Sequence, residues 1–165
     1  MSDHSTAPPL KAAYMRAAID DAMQHLDQLH GGPFGACIVS EDRIVAVTHN
    51  TVLRDNDPTC HAEVNAIRAA ARELGRYDLS GCMIYSTTEP CPMCFSAIHW
   101  ARLDTIVSGT HIGDVKDLGF NELTISNEQM HDLGQSRVQL IGDYLRDECL
   151  GLLEQWRKTP GTSPY

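Results

Sequence analysis

The sequence predicts a single α/β domain whose sheet is partly parallel. The chain has 165 residues, a length typical of one domain with its own hydrophobic core. Short apolar runs that predict buried strands alternate with segments of helical periodicity, as in layered α/β domains. No internal repeat, low-complexity tract or linker interrupts the chain. We therefore expect one domain over residues 1–165, with residues 1–9 frayed.

The first third of the chain predicts a helix followed by a β-hairpin. Apolar residues recur at helical spacing from Leu10 to His30, and Gly31-Gly32-Pro33 ends this helix. Two apolar runs, Gly35–Val39 and Arg43–Val47, flank the turn residues Ser40-Glu41-Asp42. Two short runs around such a turn are typical of a hairpin.

Further helices and strands alternate after a polar loop at Asn50–Thr59. Pro58 suits the first position of a helix that Asp57 caps, and this helix runs to Leu74. The rest of the chain predicts three strands and three helices. The strands are Cys82–Ser86, Thr105–Ser108 and Val138–Ile141, and the helices are Pro90–Trp100, Asn127–Leu133 and Tyr144–Trp156.

Composition excludes several classes of protein. No apolar run approaches the roughly 20 residues of a membrane helix, and the N-terminus lacks the features of a secretory signal. Thirteen basic residues against 22 acidic ones give a net charge of −9, which repels phosphate backbones. We expect a cytoplasmic protein with neither a membrane nor a long nucleic acid as its partner.

The six cysteines divide into four isolated residues and one pair. In a chain without an export signal, thiols are favoured over a disulfide framework. The isolated cysteines lie among apolar or small residues and predict small buried side chains rather than ligands; they are Cys37, Cys60, Cys82 and Cys149. Cys91 and Cys94 form the single Cys-x-x-Cys of the sequence.

Two motifs together predict a catalytic zinc site. Alone, Cys91-x-x-Cys94 is compatible with a redox pair or half of a structural zinc site, and His61-x-Glu63 means little. Together they match the zinc deaminase signature. His61, Cys91 and Cys94 supply three ligands, which leaves one tetrahedral position for water. The alternative is a structural zinc site with a surface glutamate.

The residue types explain why a carboxylate accompanies these ligands. Both ligand sets lie at predicted helix starts, where the helix dipole favours thiolates. Two thiolates cancel the charge of Zn²⁺, so the metal acidifies its water less than a three-histidine site does. A base is then needed, and Glu63 is the carboxylate at hand to take the proton and return it to the substrate.

The stretches His61–Ile67 and Glu89–Cys94 resemble the cytidine-deaminase-like superfamily of zinc hydrolases. The resemblance extends over roughly residues 10 to 145. It implies a three-layer α/β/α fold around a five-stranded mixed sheet, with one zinc ion per chain. It also implies hydrolytic removal of an exocyclic amine, which releases ammonia. Cys91-Pro92-Met93-Cys94 resembles the branch that tRNA adenosine deaminases share with bacterial guanine deaminases.

Within that branch, the resemblance favours guanine as the substrate. It implies that Asn50 binds the base and that Phe34 stacks on it, with a turn asparagine and core packing as the alternatives. It also implies a role for Asp114, which Gly119-Phe120 follows five and six residues later. This carboxylate would accept hydrogen bonds from the substrate amine and ring N–H and help ammonia to leave. The alternative for Asp114 is a solvated loop aspartate.

The resemblance implies further pocket residues and a homodimer. Trp100 follows the metal-binding helix where the family has an aromatic pocket residue, and Ala62 and His111 complete the candidate substrate-binding set. Packing is the alternative for Trp100. Bacterial guanine deaminases exchange C-terminal segments in a dimer, and a terminal tyrosine covers the partner's site. This chain also ends in tyrosine, Tyr165, but the composition of residues 158–165 predicts a disordered tail.

Several other functions compete with a guanine deaminase. Related enzymes deaminate guanosine, adenine, cytidine or aminotriazines such as ammeline. A tRNA adenosine deaminase needs a basic surface, and the net charge of −9 argues against one. A non-catalytic zinc module keeps both cysteines but has no use for Glu63.

Overall fold

A five-stranded sheet forms the centre of the computed structural model, which describes residues 9–165. Its strands are β1 (Gly35–Ser40), β2 (Arg43–His49), β3 (Cys82–Thr88), β4 (Thr105–Thr110) and β5 (Gln139–Ile141). They lie in the order β2-β1-β3-β4-β5. β1 pairs antiparallel with β2 and β3, whereas β3–β4 and β4–β5 are parallel. The sheet is therefore mixed, as predicted.

Helices cover both faces of this sheet. They are α1 (Ala12–Gln24), α2 (Val52–Asp55), α3 (Ala62–Leu74), α4 (Pro92–Ala101), α5 (Ile112–Lys116), α6 (Asn127–Gly134) and α7 (Arg146–Lys158). Ile38 and Ile84 pack with α3 and α4, whereas the alternate residues Cys37 and Tyr85 pack with α1 and α7. The predicted three-layer α/β/α fold is confirmed. Within the described residues, none of these helices combines the length and apolarity that crossing a membrane requires.

The central strand β3 leads directly to the functional site. All seven of its residues are buried, because helices cover both faces and a strand lies on each side. Its chain continues into α4, which crosses over to the parallel strand β4. The carboxyl end of β3 and the start of α4 therefore lie together at one edge of the sheet.

The second long helix begins later than predicted. Asp57 does not cap it, because its Oδ1 accepts hydrogen bonds from the backbone N and hydroxyl of Thr59, both within a tight turn. Pro58 lies in this turn, and α3 starts at Ala62 with His61 at the N-cap position. The first helix ends at Gln24, earlier than predicted. The single-turn helices α2 and α5 were not predicted, since such short segments show no periodicity.

The C-terminal segment is packed rather than disordered, contrary to what its composition predicts. The hydroxyl of Thr162 donates to the backbone oxygens of Trp156 and Thr159 at 3.0 and 2.8 Å. The ring of Tyr165 lies 5.2 Å from that of Phe120, edge to face. These local hydrogen bonds and the burial of the last ring hold the segment against its own chain. The fraying expected for residues 1–9 falls largely outside the described residues.

The four isolated cysteines are buried, as predicted for small apolar side chains. Burial raises the pKa of Cys37 and of Cys149 to about 12, so both stay as thiols. In the described chain all six cysteines are free of disulfides.

Candidate metal centre and active site

The N-termini of α3 and α4 bring one histidine and two cysteines together. His61 and Cys91 are the N-cap residues, and Cys94 lies in the first turn of α4. Neither N-cap side chain makes a capping hydrogen bond to the backbone of its helix, so both can face a common point. His61 Nδ1 lies 3.6 Å from Cys91 Sγ and 3.5 Å from Cys94 Sγ. One donor atom from each residue lies within 4.8 Å of the others.

This group carries the charge distribution that a metal cation requires. The Cys94 thiol and then His61 lower the pKa of Cys91 to about 4, which makes Cys91 a thiolate at neutral pH. Burial lowers the pKa of His61, but its contact with Cys91 and the charge of Glu63 raise it overall. The pKa of Cys94 is raised because its thiol donates to Cys91 and is buried.

The three donors fit zinc. One imidazole nitrogen and two sulfurs are borderline-soft ligands, and zinc binds such sets tetrahedrally. Three protein ligands leave a fourth position, which is the arrangement of catalytic rather than structural zinc sites. His61, Cys91 and Cys94 would hold the ion.

Glu63 lies directly beside the three donors. It is the second residue of α3 and is 6% exposed. Its Oε2 lies 3.4 Å from Cys94 Sγ, and its Oε1 lies 3.1 Å from the hydroxyl of Ser86 on β3. Burial raises the pKa of Glu63, which makes its carboxylate a stronger proton acceptor than an exposed glutamate.

Asn50 presents a buried amide next to this site. Its Oδ1 accepts hydrogen bonds from the backbone N–H groups of Gly32 at 3.3 Å and Val52 at 3.2 Å. Gly31 is required for this packing, because a Cβ there would lie 2.0 Å from Asn50 Oδ1. Within the described residues, Nδ2 of Asn50 has no hydrogen-bond partner. Hydrogen bonds to Oδ1 therefore fix the Asn50 side chain, and its Nδ2 group remains available to donate to a ligand.

Tyr165 reaches the site from the end of the same chain. Burial raises the pKa of its phenol, while the Gly32 N–H and the Asn50 side chain oppose the shift and Glu63 adds to it. The Tyr165 hydroxyl therefore lies close to the Asn50 amide and to Glu63. Phe34 packs edge to face on Phe120 at 5.3 Å, and Phe120 in turn contacts Tyr165. Tyr165, Phe34 and Asn50 therefore lie in one region of the same chain.

The structure does not bring Asp114 to the metal-binding group, and this corrects the sequence prediction. Both of its carboxylate oxygens accept from the Arg146 guanidinium, at 2.8 and 3.0 Å. Oδ2 also accepts from the backbone N of His111, as expected for the third residue of α5. Arg146 lowers the pKa of Asp114, so this carboxyl is a poor proton donor.

Two other predicted pocket residues also lie elsewhere, and a third has a structural role. Trp100 is 80% exposed and lines a groove of about 710 Å³ with Tyr77 and Arg102. His111 is half exposed and bonds to Asp143 at 2.8 Å. Ala62 is fully buried in the core, and its carbonyl oxygen accepts from a threonine of β2. The places of Trp100 and His111 in the sequence, relative to the metal-binding motifs, do not predict the direction in which their side chains point.

Glu122 also belongs to this site, although no motif of the sequence predicted it. Burial and then the charges of Cys91 and Glu63 raise the pKa of Glu122 to about 7. Glu122 also raises the pKa of Tyr165, so its carboxyl lies among the active-site groups. The signal available in the sequence was an acidic residue two positions after Gly119-Phe120. The surrounding segment has no periodicity, so its path could not be predicted.

The fold and this site define a zinc-dependent aminohydrolase. Residues 9–110 match the cytidine and deoxycytidylate deaminase zinc-binding region. The guanine deaminase of Bacillus subtilis is 42% identical over 152 residues, which cover 92% of this chain and 97% of that protein. The tRNA-specific adenosine deaminase of Bacillus subtilis is 31% identical over 140 residues, 85% of this chain and 84% of that protein.

A solved structure extends the similarity to the three-dimensional fold. The guanine deaminase from Nitrosomonas europaea superposes with a TM-score of 0.80 and 26% identity, covering 95% of this chain and 97% of that one. This chain belongs to the cytidine and deoxycytidylate deaminase family of zinc-dependent enzymes.

Replacing a proposed metal ligand should remove the zinc. We expect Cys91→Ser protein to retain less than about a tenth of the wild-type zinc at the catalytic site, because the thiolate ligand is lost. Cys60→Ser is the matched control, since Cys60 is also buried and lies next to His61. Metal analysis after dialysis against a weak chelator gives the result. Equal zinc loss from both variants would contradict the assignment.

Proposed function

We propose that this chain hydrolyses guanine to xanthine and ammonia. The observation that carries the proposal is the buried amide of Asn50, which is fixed through Oδ1 and whose Nδ2 has no hydrogen-bond partner within the described residues. Unpaired buried polar groups are costly, and a substrate with complementary groups removes that cost. A purine base offers ring nitrogens and a carbonyl oxygen that accept from Asn50, and N–H groups that donate to Glu122.

The relatives support a purine base as substrate. Guanine deaminase is the name of the Bacillus subtilis relative and of the Nitrosomonas europaea protein. A further structure, with a TM-score of 0.81 and 26% identity, is of a complex with 2,6-diaminopurine. That ligand has the same ring system as guanine and carries an amine at the same carbon as guanine.

The residues of this chain suit a hydrolytic deamination. When bound, zinc supplies a Lewis acid that activates water for attack on the amine-bearing carbon. Glu63 takes one proton from that water at its carboxylate and delivers it to a ring nitrogen. Glu122 takes the second proton from the hydroxyl group added to that carbon and passes it to the departing amine, which leaves as ammonia while the carbonyl forms. Asn50 orients the ring, and Phe34 with Phe120 supplies apolar walls. Water and guanine are thereby converted to xanthine and ammonia without another reactant.

A homodimer in a reducing compartment completes the proposal. The large exposed side chains of Tyr77, Trp100 and Leu133 supply apolar surface for a second copy. Tyr165 already contacts its own chain's site, so the dimer does not need to exchange C-terminal segments. The six free thiols suit the cytoplasm.

The direct test is ammonia release by zinc-loaded protein from guanine, with guanosine, adenine, cytidine and ammeline in parallel. We expect turnover of guanine to exceed that of each other compound by at least about 100-fold, the discrimination that unpaired polar groups impose on a wrong ligand. An adenosine-containing tRNA stem-loop serves as the control for the tRNA alternative. Faster turnover of any other substrate would contradict guanine specificity. Absence of ammonia from all of them would favour a non-catalytic zinc module.

Removing the proton acceptor should abolish turnover but leave the metal in place. Glu63→Gln preserves the shape of the side chain, and we expect kcat to fall about 10²–10⁴-fold, the usual contribution of general acid–base catalysis. Glu73→Gln is the matched control, because Glu73 is exposed on the same helix. Zinc content should be unchanged in both variants. A Glu63→Gln enzyme that keeps its wild-type kcat would overturn this role.

The roles of Glu122 and Asp114 in catalysis can be distinguished in the same ammonia-release assay. Glu122→Gln should lower kcat for guanine at least about 10-fold, because a proton donor near the leaving amine is lost. Asp114→Asn should leave kcat within about 3-fold of wild type. It should lower thermal stability instead, because the pair with Arg146 is broken. The reverse result, with Asp114→Asn inactive and Glu122→Gln active, would restore the original sequence prediction.

A further inference from the structure

A second cluster of metal-binding side chains lies where α1 and β2 end. Asp21 lies in the last turn of α1, His25 directly follows this helix, His30 lies in the next segment, and His49 is the last residue of β2. One donor atom from each of Asp21, His25 and His49 lies within 4.8 Å of the others. The nitrogens His30 Nδ1 and His49 Nε2 are 3.0 Å apart. These four residues have no part in the proposed deamination.

The hydrogen bonds of the cluster determine which ring nitrogens carry a proton and which carry a lone pair. His25 Nδ1 lies 2.6 Å from the backbone oxygen of Asp21, which can only accept, so Nδ1 carries the proton. His49 Nδ1 lies 2.7 Å from the Asp21 carboxylate and donates to it. Both rings therefore have their lone pair on Nε2. A histidine that donates one nitrogen to a carbonyl or carboxylate and presents the other is the usual arrangement in metal sites.

We propose that the ring nitrogens of His25, His30 and His49 form a second binding site for a divalent transition-metal ion such as Zn²⁺, with the Asp21 carboxylate orienting the His49 ring. Three imidazole donors match the preference of Zn²⁺, Ni²⁺ and Co²⁺. The rings are stacked, with 3.9 Å and 12° between His25 and His49. Lone pairs of parallel rings do not converge, so binding turns at least one ring about its side-chain torsions.

The surroundings of the cluster permit an ion to enter. The side chains of Asp21 and His25 are each 26% exposed, and that of His49 is 13% exposed. A groove of about 370 Å³ runs past Asp21 and His49. Arg54, Arg68 and Arg72 also line this groove, and Asp55 offsets the charge of Arg54 through an ion pair at 2.8 Å. The chain as a whole carries −9, which attracts cations.

A bound ion would tie together three segments that hold Asn50. His49 precedes Asn50 in the chain, and His30 precedes Gly31, whose backbone packs against the Asn50 side chain. The ion would link these two segments to the end of α1. The second site would therefore stabilise the segments that carry the substrate-binding asparagine, without contact with the substrate.

Counting bound ions tests this inference independently of activity. Metal-free protein is equilibrated by dialysis against micromolar Co²⁺, and cobalt per chain is measured together with the thiolate-to-cobalt absorption. We expect two ions in the wild type and one in His25→Gln and His49→Gln, with the thiolate band retained. Cys91→Ser should also bind one ion, now without the band. His131→Gln is the matched control. His131 also pairs with an aspartate, Asp132, but both residues belong to α6 and not to the cluster.

Two results would overturn the second site. The first is one ion per chain in wild-type protein and none in Cys91→Ser, because this result means that the histidine cluster binds no metal. The other is a second ion that His131→Gln loses as fully as His25→Gln does, which indicates nonspecific surface binding. The wild-type and Cys91→Ser counts decide the question even where a histidine variant fails to fold.

Discussion

The close approach of two helix N-termini is the constraint on which the active site depends. His61 and Cys91 cap α3 and α4, and they meet only because both helices pack on the same face of the sheet. Small side chains permit this packing. Ala62, Ala66 and Ala70 are fully buried along α3, so the helix lies close to β1 and β3. A larger residue at any of these positions would move His61 away from the two sulfurs.

The same arrangement explains the electrostatics of the site. Each helix N-terminus carries unpaired N–H groups and a positive dipole end, which favour anions. The thiolate of Cys91 and the carboxyl of Glu63 lie at these ends. Burial opposes the charge of Glu63 and raises its proton affinity, as is usual for catalytic carboxyl groups. A metal cation bound here would keep both cysteine sulfurs as thiolates.

The sequence predicts what is local and misses what depends on distant contacts. The ligands His61, Cys91 and Cys94 are spaced within motifs at helix starts, so residue types and spacing were sufficient. The strands follow from apolar runs. Asp114 was assigned to catalysis, but a capping contact and Arg146, 32 positions away, take its carboxylate. The role of Glu122 and the packing of the C-terminal segment were not predicted, because irregular segments carry no periodic signal. Only the fold shows that Tyr165 returns to Asn50.

X-ray absorption at the zinc edge shows whether the two helix ends form a zinc site with three protein ligands and a fourth position for water. The sample is His25→Gln protein loaded with one zinc per chain, so that the second cluster does not contribute to the signal. We expect two sulfur neighbours at about 2.3 Å and two lighter ones, nitrogen or oxygen, at about 2.0–2.1 Å. A first shell without sulfur, or with four sulfur neighbours, would contradict this expectation.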